Sequence, residues 1–313
     1  MKIVTLDADT LPVELQKPDF CDRWVYRKST DERELLAVLD NAEVVITNKV
    51  PLRAEILKQL PALRFICVAA TGFDCVDIDY CRQRGIAVSN VPGYSSRSVS
   101  EGVIASIFAL RRNLLQYASA SSREWLHSDH FCLHKAPIND IQDATLGIIG
   151  RGEIGGAVAR LARGVGMKVL FAEHKGQQNV RSGYQAFDEV VRESDILTLH
   201  CPLSPETRQL IDHSVLAMMK SSSLLINTAR GGLIDEDALA DALMRGKISG
   251  AALDVLTQEP PHPHNPLLTL KHPNLLITPH IAWASQTGVS NLIKGIHYNL
   301  AGYFCGAVKN SVI

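Results

Sequence analysis

Three polar side chains stand just past apolar runs in the C-terminal half of the 313-residue chain. SSLLINT leads into Ala229-Arg230-Gly231-Gly232, GAALDV leads to Glu259, and NLLITP leads to His280. If the apolar runs are parallel strands, all three lie at strand C-terminal ends, where open α/β sheets bind ligands, and can converge despite their separation. The residue types suit reduction of a 2-oxo acid. Histidine delivers a proton near neutral pH. A neighbouring carboxylate orients the ring and favours its protonated form. An arginine fork holds a substrate carboxylate and polarises the carbonyl. Singly, each has an ordinary alternative: Arg230 as a surface turn, Glu259 as a loop residue before Pro260, His280 as a strand cap.

Upstream, LGIIGRGEIGGAVARLA carries Gly150-Arg151-Gly152-Glu153-Ile154-Gly155. The spacing is GxGxxG, with an apolar strand before it and an amphipathic helix after it. Gly150 permits the tight turn, Gly152 a close approach by a pyrophosphate, and Gly155 the packing of helix on strand. The pyrophosphate then meets the free N–H groups of a helix N-terminus. An acid is expected roughly 20 residues further on, and GMKVLFAEHK supplies Glu173. A carboxylate there hydrogen-bonds ribose hydroxyls and repels a 2′-phosphate, so NAD is expected over NADP. Lys175 and Arg181 follow closely and soften that preference, leaving NADP as the alternative.

These residues need a scaffold, and the hydropathy pattern supplies one. Short apolar runs alternate with amphipathic stretches nearly end to end, which predicts an α/β fold with parallel sheets, doubly wound. In the first block, strands are expected at 3–6, 44–47 and 63–69, with helices at 31–39 and 53–60. One long helix is expected over 99–115, followed by a weakly periodic stretch at 116–142. The second block reads as strands at 145–149, 168–172, 196–200, 223–226, 250–255 and 275–277. Its helices are expected at 155–165, 187–192, 206–219 and 236–244. A last helix, 288–303, has no strand after it, so it can join the N-terminal block.

Bulk properties narrow the function classes. A net charge of −1, with 46% hydrophobic and 21% charged residues, gives no electrostatic reason to bind nucleic acid or an anionic membrane. No apolar run reaches the ~20 residues a spanning helix needs, and MKIVTLDADTLPVEL lacks the features of a signal peptide. The seven cysteines are scattered without a CxxC pair, which fits free thiols in a reducing compartment. His262 and His264 in EPPHPHNP read as loop residues, and no metal site is expected.

The sequence resembles the D-isomer-specific 2-hydroxyacid dehydrogenases over nearly its whole length. The matching pieces are ATGFDCVDIDYCRQRGIAVSNVPGYSS, LGIIGRGEIG, LTLHCPLSPETRQLI, LLINTARGGLIDEDALADAL, GAALDVLTQEPP and ITPHIAWAS. VLFAEHKG, HCPLSPET and PHIAWAS are most similar to the glycerate dehydrogenase (hydroxypyruvate reductase) branch. The resemblance implies two Rossmann-like doubly wound domains with a cleft between them. Residues 1–97 plus 286–313 correspond to the substrate-binding lid domain and 98–285 to the NAD-binding domain. It implies a cytoplasmic homodimer formed through the long helix after Ser98 and the arm beyond it. By motif match Arg230 is the substrate-binding arginine, Glu259 the carboxylate partner and His280 the acid/base. Thr71 and Gly72 match the loop that holds the substrate carboxylate. Glu153, Ile154, Glu173, Pro202, Thr228, Ala229, Asp254 and Ala282 match cofactor-contacting positions. The chain departs from the usual pattern at Arg151, where an apolar residue is common, and at Glu153, where arginine is. Cys75 replaces a common asparagine. The substrates implied are D-glycerate with hydroxypyruvate, then glycolate with glyoxylate. Phosphoglycerate- or lactate-type dehydrogenases of the same fold, and a dinucleotide-sensing corepressor, are the alternatives.

Overall fold

The computed structural model describes residues 1–313. Two compact units emerge: Met1–Ser95 with Ala284–Ile313, and Ser96–Trp283.

The first unit holds five strands: β1 (Lys2–Thr5), β2 (Arg23–Tyr26), β3 (Val44–Thr47), β4 (Phe65–Val68) and β5 (Ala87–Ser89). All pair in parallel in the order β2-β1-β3-β4-β5. Val4, Val45, Ile66, Val68 and Val88 share a buried cluster with Leu35, Leu39, Leu57 and Cys81 from the crossover segments. The C-terminal helix Gln286–Phe304 returns to this unit: Tyr303 stacks on Phe65 at 4.4 Å, and the buried Asn299 donates to the Asn90 carbonyl at 2.7 Å. Buried amide groups must be hydrogen-bonded, so Asn299 fixes the helix's register against the loop after β5.

The second unit holds β6 (Thr145–Ile149), β7 (Lys168–Ala172), β8 (Ile196–Leu199), β9 (Leu224–Asn227), β10 (Gly250–Leu253) and β11 (Leu275–Ile277). These are also all parallel, in the order β11-β10-β9-β8-β6-β7. Successive strand residues point to opposite faces. Leu225, Ala251 and Leu253 therefore enter one apolar cluster, while Leu224, Ile226 and Ala252 enter the other. Helices Phe187–Glu193, His213–Met218 and Glu236–Met244 cover the first face; Ser96–Arg111 and Glu153–Gly164 cover the second. With both faces covered, the central strands β8, β9 and β10 are buried at every residue and mostly apolar, as parallel sheets require.

Several elements differ from expectation. The long helix stops at Arg111, and a second runs Leu114–Ser121. Between them Asn113 adopts φ +49°, a left-handed conformation asparagine tolerates better than most residues, and its side chain donates to the Pro137 carbonyl at 2.5 Å. The helix expected over 206–219 is only His213–Met218. Its first half is unwound because Ile211 exchanges backbone bonds with Leu233 and Asp235, while Asp212 caps the remaining turn through Val215 N. Strands β2 and β5 and the helix Ile78–Arg84 were not expected. β2 is an edge strand with no fully buried residue and β5 is three residues long, so neither carries a strong apolar signature. The helix had an end signal in Asp77, which caps Tyr80 N, and Gly85, which is left-handed at its C-terminus.

Candidate active site

In the second unit β7 lies on one side of β6 and all later strands on the other. Such a switch in winding leaves a crevice outside the strand ends. Gly150 follows β6 there with φ +99°, and a Cβ on it would lie 2.6 Å from the His200 backbone beyond β8. A side chain at 155 would meet the Gly150 carbonyl at 2.0 Å, whereas one at 152 would meet nothing within 4 Å. Gly150 and Gly155 are thus fixed by packing. Gly152 faces open space at the N-terminus of Glu153–Gly164, as an approaching pyrophosphate requires. Glu153 is exposed, and its carboxylate accepts from the Ser96 hydroxyl at 2.7 Å. Ile154 packs against the apolar cluster beneath. Pro202 lies just beyond β8, where its carbonyl accepts from Thr207 Oγ1 at 2.7 Å. The Thr228 hydroxyl, just past β9, is buried without a hydrogen-bond partner, a rarity that marks a place where a bound group can complete the bonding. The donor set and the open glycine fit a dinucleotide.

Glu173 directly follows β7 and is 3% exposed. It accepts Arg181 Nε at 2.6 Å, Arg181 Nη2 at 2.6 Å, His174 N at 2.8 Å and Arg181 N at 3.2 Å. The Arg181 guanidinium, then the backbone donors, hold its carboxyl down at about 2 against burial.

The chemical end is built on β9, β10 and β11. Asn227 closes β9, its side chain accepting from Ala229 N at 3.0 Å and donating to the Arg230 carbonyl at 2.9 Å. These two hydrogen bonds fold the turn presenting Arg230, whose Nη1 donates to the Ala229 carbonyl at 2.8 Å. A Cβ on Gly231 would lie 1.9 Å from the Leu256 carbonyl carbon, so only glycine lets this turn lie against the loop after β10. In that loop Glu259 Oε1 accepts from Leu256 N at 3.0 Å, and Oε2 sits 2.6 Å from His280 Nδ1. The Glu259–Pro260 peptide is cis. The His280 and Glu259 side chains are 29% and 35% exposed, open enough to meet a small molecule.

His280 is left-handed at φ +55°. The conformation is held by Asp254 at the end of β10. Its carbonyl accepts from His280 N at 2.9 Å. Its carboxylate takes Thr278 Oγ1 at 2.5 Å, Ile281 N at 2.9 Å and Ala282 N at 2.8 Å. Trp283 Nε1 donates to the His280 carbonyl at 2.9 Å, and the Ala282 carbonyl accepts from Ser98 Oγ at 2.6 Å. Asp254 and Ala282 thereby help shape the histidine turn. Asn227, Gly231 and Ser98 were given no role from the sequence, and a local signal existed only for Asn227, as the last strand residue before the arginine turn. Thr71 and Gly72 lie in the first unit beyond β4, where Thr71 Oγ1 donates to the Val91 carbonyl at 3.0 Å.

Comparison with known proteins agrees. Residues 104–282 match the family described as D-isomer specific 2-hydroxyacid dehydrogenase, NAD binding domain. A putative 2-hydroxyacid dehydrogenase of Haemophilus influenzae is 45% identical over 305 residues, 96% of this chain and 97% of that one. The glycerate dehydrogenase of Methylorubrum extorquens is 42% identical over 313 residues, 99% and 98% of the two chains. The structure of D-lactate dehydrogenase from Aquifex aeolicus, complexed with NAD and lactic acid, superposes with a TM-score of 0.83 at 29% identity, covering 97% and 96%.

The chain belongs to the D-isomer-specific 2-hydroxyacid dehydrogenases. It is a nicotinamide-dinucleotide-dependent oxidoreductase, with an NAD-binding domain, built from two parallel-sheet α/β domains, and no helix is long and apolar enough to cross a membrane.

Proposed function

We propose that this chain interconverts hydroxypyruvate and D-glycerate, with glyoxylate and glycolate as the second substrate pair. The observation that carries the reading is the 2.6 Å contact between His280 Nδ1 and Glu259. A carboxylate on Nδ1 fixes the ring and its tautomer, leaving Nε2 to pass a proton to or from the C2 oxygen. The bound dinucleotide supplies or takes up the hydride at C2. Arg230 holds the substrate carboxylate and polarises the carbonyl through its planar fork. The choice of hydroxypyruvate is supported by the end-to-end likeness to the Methylorubrum glycerate dehydrogenase.

From the family match we assign the other contacts. Thr71 and Gly72, of the substrate-binding domain, serve the substrate carboxylate. Gly150, Gly152, Glu153, Ile154, Gly155, Pro202, Thr228, Ala229, Asp254 and Ala282 serve the dinucleotide. We also propose a cytoplasmic homodimer. The arm beyond Asn113 exposes Trp125 (50%), Leu126 (72%) and Phe131 (91%), large apolar side chains that a second copy of the chain would cover. The seven free cysteines suit a reducing compartment.

Initial rates with reduced dinucleotide against hydroxypyruvate, glyoxylate, pyruvate and 3-phosphohydroxypyruvate test the substrate. Hydroxypyruvate is expected to give the highest kcat/KM. Preference for pyruvate or the phosphorylated acid would overturn the assignment.

A further inference from the structure

An acid at the end of the second strand of a dinucleotide fold normally accepts hydrogen bonds from the adenosine ribose. Glu173 stands at that place, but its lone pairs are spent. A carboxylate offers about four acceptor sites, and four N–H donors, three of them from Arg181, already fill them. The group is also buried. Neither vacancy nor access is left for a ribose hydroxyl.

What faces solvent is its partner. The Arg181 side chain is 55% exposed and retains N–H groups not used on Glu173. Its guanidinium lies 4.3 Å from the Tyr184 ring centroid. The Arg151 guanidinium, from within the glycine turn, lies 5.5 Å from the same ring and 4.7 Å from Phe171. Gly183 lies alongside, where a Cβ would come within 2.9 Å of Arg151 Nη1. Two cations are therefore seated on one aromatic surface beside the glycine turn, stacking that suits arginine. Lys175 is turned away to Asp212, at 3.2 Å, and to the Leu210 carbonyl.

We infer that Glu173 is a positioning residue that clamps Arg181, and that Arg181 with Arg151 forms a subsite for the 2′-phosphate of NADPH. The chain then binds NADPH at least as tightly as NADH, reversing the discrimination an acid at this position would otherwise impose. Arginine pairs with phosphate through parallel charge-assisted bonds, and clamping its fork in advance removes the entropy cost of ordering it. The inference rests on the reading of the chain as a dinucleotide-dependent reductase, but not on its substrate.

The test is direct binding without substrate. Dissociation constants for NADPH and NADH are measured by calorimetry on the full chain at low and high salt. In the wild type, NADPH is expected to bind no more weakly than NADH and to lose more affinity as salt rises. Arg181→Gln should weaken NADPH on the order of tenfold or more, the scale of a lost charge-assisted bond, and leave NADH within about threefold. Arg151→Ala, which leaves the Glu173 clamp intact, should weaken NADPH selectively and provides the answer if Arg181→Gln disturbs folding. Wild-type protein binding NADH tenfold or more tightly than NADPH would overturn the inference, as would equal losses for both dinucleotides in the two variants. Tight NADPH binding with no turnover of any 2-oxo acid would instead sink the proposed reaction and leave this subsite standing.

Discussion

Asp254→Asn separates the positioning of the histidine from its chemistry. The carboxylate is 5% exposed and accepts three donors, two of them the backbone N–H groups of Ile281 and Ala282. An isosteric amide has only one acceptor oxygen. If that oxygen stays with Thr278 and Ile281, the new NH2 faces the Ala282 N–H. If the amide flips, it faces the Ile281 N–H. Either way one buried backbone donor is orphaned, at a cost of about 1–3 kcal/mol. A left-handed residue other than glycine also costs roughly 1–2 kcal/mol. His280 at φ +55° is held there by this grip and relaxes when it weakens. For a unit of this size a loss near 2 kcal/mol lowers Tm by about 4–8 °C. Moving the ring by roughly 1 Å lowers kcat on the order of 10²-fold. Thermal unfolding and steady-state kinetics with hydroxypyruvate read the two effects. A variant with wild-type Tm and kcat within twofold of wild type would refute the argument that Asp254 builds the histidine turn.

Other perturbations follow from the same geometry. His280→Ala should lower kcat by roughly 10²-fold or more, the scale of general acid catalysis, with dinucleotide affinity unchanged in a binding titration; near-normal turnover would remove His280 from the reaction. Gly150→Ala, at φ +99° with its Cβ 2.6 Å from the His200 backbone, should abolish dinucleotide binding by calorimetry; retained affinity would show that the turn can shift. Arg230→Lys should raise KM for the 2-oxo acid and lower kcat, because an ammonium lacks the planar fork; unchanged kcat/KM would exclude bidentate recognition. Dehydration pushes His200 down to about 4. The unfolded chain therefore binds more protons between pH 6.5 and 4, and stability falls as pH falls through that window. Between pH 7 and 4.5 the loss from this group is roughly 2–2.5 kcal/mol. Denaturant unfolding should show a smaller loss in His200→Asn, and identical pH dependence in both proteins would discard His200 as the source.

Much of this protein is legible in its sequence. The central strands are buried on both faces, so Leu146–Ile149, Ile196–Leu199 and Leu224–Asn227 stand out as apolar runs. Local punctuation such as GxGxxG fixes a turn wherever it follows a strand. Arginine, glutamate and histidine past three strands give a short list for the chemistry, because a parallel sheet brings its strand ends together regardless of sequence distance. Edge and short elements such as β2 and β5 carried no such signature. What tertiary structure alone decided is geometry between residues whose separation no local pattern encodes. Glu259 was expected beside His280, but the 2.6 Å contact across 21 residues is set by the fold, and the grip of Asp254 on the 278–282 turn, spanning up to 28, had no sequence signal. The same limit held at Glu173. From sequence it is an acid at the ribose position with two cations nearby; only the fold, by turning the loop after β7 back onto the strand, gives it Arg181 and withholds Lys175.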